Sequence, residues 1–304
     1  MKNIAFLTSS FNKKNIFNVN YYKKKKIELR FNKLKKTLNF NELKKLLDHN
    51  TIGILSGNEL LNKLILQSAP NLKIISRCGV GIDNIDLDYA KKKKIMIKNT
   101  PLIPSIATAE FTVAVVLSLI KNLYENIKSL KEKKWTKFKG KNVQNKTIGI
   151  IGYGNVGSRV AKFLSFFGSK ILVYDIKKVS LFKKVTLSKL LKTSNVIILT
   201  CSLTKETINL LNKNNLCFIK KNSIIVNSSR GGIINEKDLF LFLKKNKSVK
   251  AFSDCFVEEP YKGELLDLNN FYSTAHVGSF TEEARNEMER ISSLNLFKQI
   301  KKIK

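Results

Sequence analysis

At 304 residues, with 43% hydrophobic and 26% charged side chains, the chain can bury one large or two medium cores, which excludes a disordered tail. A formal charge of +33 raises nucleic-acid binding, yet only six of the 56 basic residues are arginines: Arg30, Arg77, Arg159, Arg230, Arg285 and Arg290. Arginine is the better reader of bases and phosphates, and the dispersed lysines, with abundant Asn, Ile and Phe, follow a bias toward A/T-rich codons; the expectation is weak attraction to polyanions and no specific nucleic-acid partner.

The opening "MKNIAFLTSSFNKKN" has too short an apolar stretch for a signal peptide, and the run "FTVAVVLSLI" falls short of the roughly 20 residues of a membrane span. A soluble, cytoplasmic protein with no membrane partner is expected. Strands are predicted at "NIAFLTS", "TIGILSG", "LKIISRCG" and "KIMIKNT", then a long helix over residues 108–135, with Glu110 in its first turn. This helix connects two halves and suits subunit contacts. Further strands follow at "TIGIIGYG", "KILVYD", "VIILTC", "SIIVNS", "VKAFSD" and "FYSTAH", and a last helix over "FTEEARNEMERISSLNLFKQIKKIK". Continuous apolar runs mark strands buried on both faces, so the fold class is α/β with two doubly wound parallel-sheet units. Cys78, Cys201, Cys217 and Cys255 form no CxxC pair and have no histidine at zinc-ligand spacing, so they read as reduced, buried cysteines, and no metal is expected.

The strongest local pattern is "KTIGIIGYGNVGSRVAKFLSFFGSKILVYD". Gly152, Gly154 and Gly157 form GxGxxG between a strand and a helix, the context in which glycines admit a pyrophosphate to free amides and a helix dipole. Asp175 ends the next strand, 18 residues beyond Gly157, where a carboxylate binds both ribose hydroxyls and repels a 2′-phosphate. NAD is therefore the expected cofactor.

Three ionisable side chains then end successive strands: Arg230 in "VNSSRGGIINEKDL", Glu259 at the end of "AFSDCFVEE" and His276 in "STAHVGS". Singly, they read as a surface cation, a turn residue and a helix-start polar group. Together they match the oxidation of a 2-hydroxy acid. An imidazole takes the hydroxyl proton, a carboxylate orients it and favours its protonated form, and a guanidinium holds the substrate carboxylate and polarises the carbonyl. Asp254 is placed to bind the nicotinamide amide. The other histidine, His49 in "LLDHNT", has no such company.

These stretches, with "TSSF", "APNLKIISRCGVGIDNIDLDYAKKKKIMIKNTP" and "TAEFTVAVVLSL", make the chain similar almost end to end to the D-isomer-specific 2-hydroxyacid dehydrogenases, and most similar to their phosphoglycerate-oxidising subgroup. The resemblance implies a Rossmann NAD-binding domain over 100–279, inserted in a flavodoxin-like substrate domain formed by 1–99 and 280–304. It implies a catalytic set of Arg230, Glu259 and His276, and substrate contacts from Val80 and Gly81 of "CGVG". Further cofactor contacts are implied at Thr108, Asn155, Val156, Cys201, Ser228, Ser229, Asp254 and Gly278. A homodimer and a small anionic 2-hydroxy or 2-keto acid substrate are implied as well.

The chain departs from the family pattern at several points. Asn155–Val156 replaces a common Arg–Ile, and Ser202 and Ala275 stand where proline is common. The stretch "ILSGNE" lacks an arginine that some phosphoglycerate enzymes use for the phosphate, while Arg77 is retained near the expected site. Nothing past the last helix resembles the regulatory domain of longer relatives. A simple glyoxylate or hydroxypyruvate reductase and an NAD-sensing corepressor are the alternatives.

Overall fold

A computed structural model describes residues 1–302, and the chain divides into two compact units, Met1–Pro104 with Thr281–Lys304, and Ser105–Phe280. The family-based boundaries expected from sequence were 99/100 and 279/280.

The first unit holds β1 (Asn3–Phe6), β2 (Glu28–Phe31), β3 (Thr51–Ser56), β4 (Ile74–Arg77) and β5 (Met96–Lys98), all parallel in the order β2-β1-β3-β4-β5. The three central strands are buried throughout, as their unbroken apolar runs require. The helix Glu282–Ile300 begins on a Thr281 cap and packs on β3 and β4. Leu296 lies where a side chain at Gly53 would point, and Ser76 donates a hydrogen bond to the Ser292 carbonyl at 2.8 Å. β2 escaped the sequence reading because "ELRF" is a charged, half-exposed edge.

The second unit holds β6 (Thr147–Ile151), β7 (Lys170–Tyr174), β8 (Lys183–Lys184), β9 (Val196–Leu199), β10 (Ile224–Asn227), β11 (Lys250–Ser253) and β12 (Phe271–Ser273). They are parallel, in the order β12-β11-β10-β9-β6-β7-β8. The chain runs outward from β6 in one direction and then returns to build the other half from β9. The crevice between β6 and β9 is thus a topological switch point, where open sheets of this kind take ligands at their carboxyl ends.

The expected single helix over 108–135 is two, Ile103–Ile120 and Leu123–Lys131. Asn122 breaks it in the left-handed region at φ 51°, and its amide reaches the Lys139 carbonyl at 2.8 Å. Glu110 consequently sits in mid-helix rather than in a first turn. Ile103–Ile120 is, by length and a mean hydropathy of 1.9, apolar enough to cross a membrane, contrary to the shorter run read from sequence. Its Ala109, Val116 and Leu119 are instead buried in the core against β6 and β9, which makes it a core helix. The cysteines also correct the expectation: Cys78 and Cys255 are buried, but Cys201 is half-exposed and Cys217 exposed, all as free thiols.

Candidate functional site

β6 delivers the chain into Gly152, whose φ of 94° suits glycine and where a Cβ would lie 2.5 Å from the Cys201 amide nitrogen. At Gly157 a Cβ would sit 2.0 Å from the Gly152 carbonyl oxygen, so helix Asn155–Phe166 can approach the loop only through glycine. Gly154 is the opposite case. Nothing lies within 4 Å of a Cβ there, the residue is exposed, and no side chain caps the helix that starts after it. A tight turn, a close helix and an open space at uncapped helix amides together fit a pyrophosphate.

Asp175, just past β7, accepts hydrogen bonds from the Tyr153 amide at 2.6 Å and the Lys177 amide at 2.7 Å. Its carboxylate is thereby fixed beside the glycine loop, where a ribose diol would meet it. Burial, helped by the Asp175 charge, pushes the Cys201 thiol up to about 11, and Cys201 packs under Gly152. Of the other expected cofactor contacts, Asn155 is exposed at the helix start and Val156 packs on the core. The Ser228 hydroxyl lies 2.7 Å from that of Thr112, which donates to the Thr108 carbonyl at 2.6 Å, so the end of β10 is tied to the core helix.

After β10 the "SSRGG" turn is shaped by Asn227, which sequence reasoning missed. Its side-chain oxygen accepts from the Ser229 hydroxyl at 2.8 Å and its amide donates to the Arg230 carbonyl at 2.9 Å. Arg230 donates from Nη1 to the Ser229 carbonyl at 2.8 Å. Gly231 has no room for a side chain, since a Cβ would lie 2.0 Å from the Phe256 carbonyl carbon. This contact seats the Arg230 turn against the segment that carries Glu259.

Nδ1 of His276 lies 2.9 Å from each carboxylate oxygen of Glu259, whose Oε1 also accepts from the Phe256 amide at 3.1 Å. Burial pushes the Glu259 carboxyl up, but the His276 contact, the Phe256 amide and the nearby Arg230 charge outweigh it and hold the carboxyl below its usual value. An ionised Glu259 fixes the ring with Nδ1 as donor and leaves Nε2 for chemistry. His276 itself adopts φ 56°, rare for a side chain with a Cβ, and its amide donates to the Asp254 carbonyl at 2.8 Å.

The Asp254 side chain holds that loop. Buried at 3% exposure, it accepts from the Thr274 hydroxyl at 2.5 Å, the Val277 amide at 2.8 Å and the Gly278 amide at 2.8 Å. Gly278 is required by the same contact, since a Cβ would lie 2.8 Å from Asp254 Oδ2. The structure therefore joins two expected cofactor contacts, Asp254 and Gly278, to each other.

In the first unit, the loop after β4 carries Val80 and Gly81, and among the described residues neither amide donates within the chain. Arg77 is 6% exposed. It donates from Nη2 to Asn58 at 2.6 Å and from Nη1 to the Cys78 carbonyl, so it braces the "CGVG" loop against the "ILSGNE" stretch. Arg285 also reaches this end of the sheet, with Nη1 3.9 Å from the Cys78 sulfur and Nη2 2.7 Å from Glu289. His49 is exposed and takes no part in either cluster.

A Rossmann sheet with a glycine-turn pyrophosphate cradle and an imidazole, carboxylate and guanidinium at neighbouring strand ends defines a nicotinamide-linked oxidoreductase scaffold. The chain belongs to the D-isomer specific 2-hydroxyacid dehydrogenases, whose NAD-binding domain matches residues 113–278. It is 38% identical over 260 residues to a D-3-phosphoglycerate dehydrogenase of Methanocaldococcus jannaschii, covering 82% of this chain and 49% of that one. It is also 38% identical over 245 residues to a hydroxypyruvate reductase of Thermotoga maritima, covering 78% of this chain and 80% of that one. The chain thus spans about half the length of the first relative and most of the second. Among solved structures, D-lactate dehydrogenase from Aquifex aeolicus, complexed with NAD and lactic acid, superposes with a TM-score of 0.82 at 27% identity, covering 99% and 97% of the two chains.

Proposed function

We propose that the chain oxidises D-3-phosphoglycerate to 3-phosphohydroxypyruvate, the first step of serine biosynthesis, as an NAD-dependent homodimer in the cytoplasm. The observation that carries the chemistry is the two-oxygen contact of Glu259 with His276 Nδ1. In this reading, NAD, seated on Gly152 to Gly157 and Asp175, supplies the hydride acceptor. Nε2 of His276 takes the proton from the substrate hydroxyl as the carbonyl forms, and returns it in the reverse direction. Glu259 keeps the ring oriented and balances the imidazolium charge. Arg230 pairs with the substrate carboxylate and draws electron density from the carbonyl oxygen.

The phosphorylated substrate is supported by the Methanocaldococcus relative and by two guanidinium groups, Arg77 and Arg285, converging on Cys78 at the carboxyl end of β4. A second reading, reduction of hydroxypyruvate or glyoxylate, is favoured by the burial of Arg77 against Asn58 and by the Thermotoga relative. Steady-state rates with NADH across 2-keto acids with and without phosphate decide between them. The proposal expects phosphohydroxypyruvate to give the highest kcat/KM, and a clear preference for hydroxypyruvate or glyoxylate overturns it. No turnover with any of them favours an NAD-sensing binding protein.

The homodimer is supported by helix Leu123–Lys131, which exposes Leu123, Tyr124, Ile127 and Leu130 at 48–59% each, with Trp135 beyond it at 81%. That apolar face suits a second copy of the chain.

A further inference from the structure

The parallel sheet of the second unit has a second end that the reading above leaves unused. Gly152, Cys201, Ser228 and Asp254 follow the carboxyl ends of β6, β9, β10 and β11. At the amino ends of the same four strands lies a cavity of about 510 Å³, lined by Lys139, Lys141, Lys146, Lys220, Lys221 and Lys250 and by no acidic residue. Strands of this length, at about 3.3 Å per residue, put roughly 15 Å between the two ends.

Two of the six lysines have structural partners. Lys250 pairs with Glu125, bonds Asn122 at 2.7 Å and lies over the Tyr272 ring. Lys220 donates to the Thr193 carbonyl at 2.7 Å, at a helix C-terminus where a cation is favoured. Among the described residues the ammonium groups of Lys139, Lys141, Lys146 and Lys221 form no ion pair. Lys146 and Lys220 are half-buried, and burial together with the Lys146 charge pushes the Lys220 ammonium below its usual range. A concave site lined by one sign of charge focuses its field and concentrates counter-ions, and its volume lies in the range of small-molecule pockets.

We propose that this cavity binds a small phosphorylated polyanion, of the size and charge of a nucleoside triphosphate, at a site separate from the dinucleotide loop. Lysines act as point-charge partners for phosphate. The bound anion relieves the repulsion between Lys146 and Lys220 and bridges the amino ends of four strands, so it stabilises the second unit.

The test is isothermal titration of the full chain with ATP and with inorganic tripolyphosphate, in physiological salt and with saturating NADH to keep the dinucleotide loop filled. The triple variant K141Q/K146Q/K221Q is compared with K23Q/K24Q/K25Q, which removes three exposed lysines from the other unit. One-to-one binding is expected in the wild type and in the control. It should weaken at least about tenfold in the cavity variant, because each lost charge-assisted contact is worth about a factor of ten. Equal weakening in both variants, or no saturable binding by either probe, overturns the proposal. So does duplex DNA that binds more tightly than tripolyphosphate and is unaffected by the cavity variant. If the triple variant unfolds, the exposed single change Lys221→Gln carries the same comparison against Lys24→Gln.

Discussion

His276 Nδ1 is equidistant, at 2.9 Å, from the two carboxylate oxygens of Glu259. The ring is gripped along its hydrogen-bonding edge by a carboxylate whose ionised form burial disfavours and the His276 contact favours. His276→Ala should lower turnover by roughly 10² to 10⁴, the range for a lost general acid–base, with little change in NADH affinity by fluorescence titration. Turnover near wild type would remove His276 from the mechanism.

Glu259→Gln removes a charge-assisted contact and should cost roughly 10- to 100-fold in kcat. Because the carboxylate holds the ring through both oxygens, kcat should fall much more than NADH affinity. The lowered Glu259 carboxyl also adds stability that is fully present above its unperturbed value of 4.5 and is lost as pH falls below it. A kcat near wild type would leave Glu259 a bystander.

Asp254→Asn converts an acceptor-only group with three donors into one whose NH₂ must face a backbone amide, that of Val277 or that of Gly278. Each buried donor left unsatisfied costs about 1 to 3 kcal/mol, so thermal stability and kcat should fall together as the His276 loop loosens. A fall in NADH affinity alone, with stability and loop order kept, would return Asp254 to the nicotinamide contact expected from sequence.

Asp175→Ala should relax the discrimination against NADP, read as the ratio of kcat/KM for the two cofactors. Because Asp175 also secures the Tyr153 and Lys177 amides, some loss with NAD is expected too. An unchanged ratio counts against its ribose role.

In the first unit, Asp48 is pulled down to about 2: burial opposes this, but Arg30, the Asn3 amide and the Asn50 N–H outweigh it. The sign follows for a depressed carboxylate: its stabilisation is complete above pH 3.8 and is lost as pH falls toward 2. Urea unfolding should lose stability over that interval in the wild type and less so in Asp48→Asn. Parallel losses would place the acid sensitivity elsewhere.

Among the described residues, ten of the twelve strands were legible because central parallel strands are written as unbroken apolar runs. The two exceptions, "ELRF" and Lys183–Lys184, are edges whose charged side chains face solvent and erase that signal. The helix break at Asn122 was hidden because helical periodicity continues through it, and the left-handed residue depends on a contact with Lys139, 17 positions away. The Glu259 and His276 pairing was legible because each ends a strand region in a sheet whose ligand end is known from topology. The bracing role of Arg77 and the clamp at Asp254 were not, since both rest on which groups lie within 3 Å once the loops close.

Gly154 and Gly157 look equivalent as letters in one motif, but different forces maintain them. Replacing Gly157 strikes backbone and threatens the fold itself, whereas a methyl group at Gly154 enters empty space and harms only the visitor that would occupy it. Gly154→Ala should therefore keep the thermal stability of the wild type, and Gly157→Ala should not.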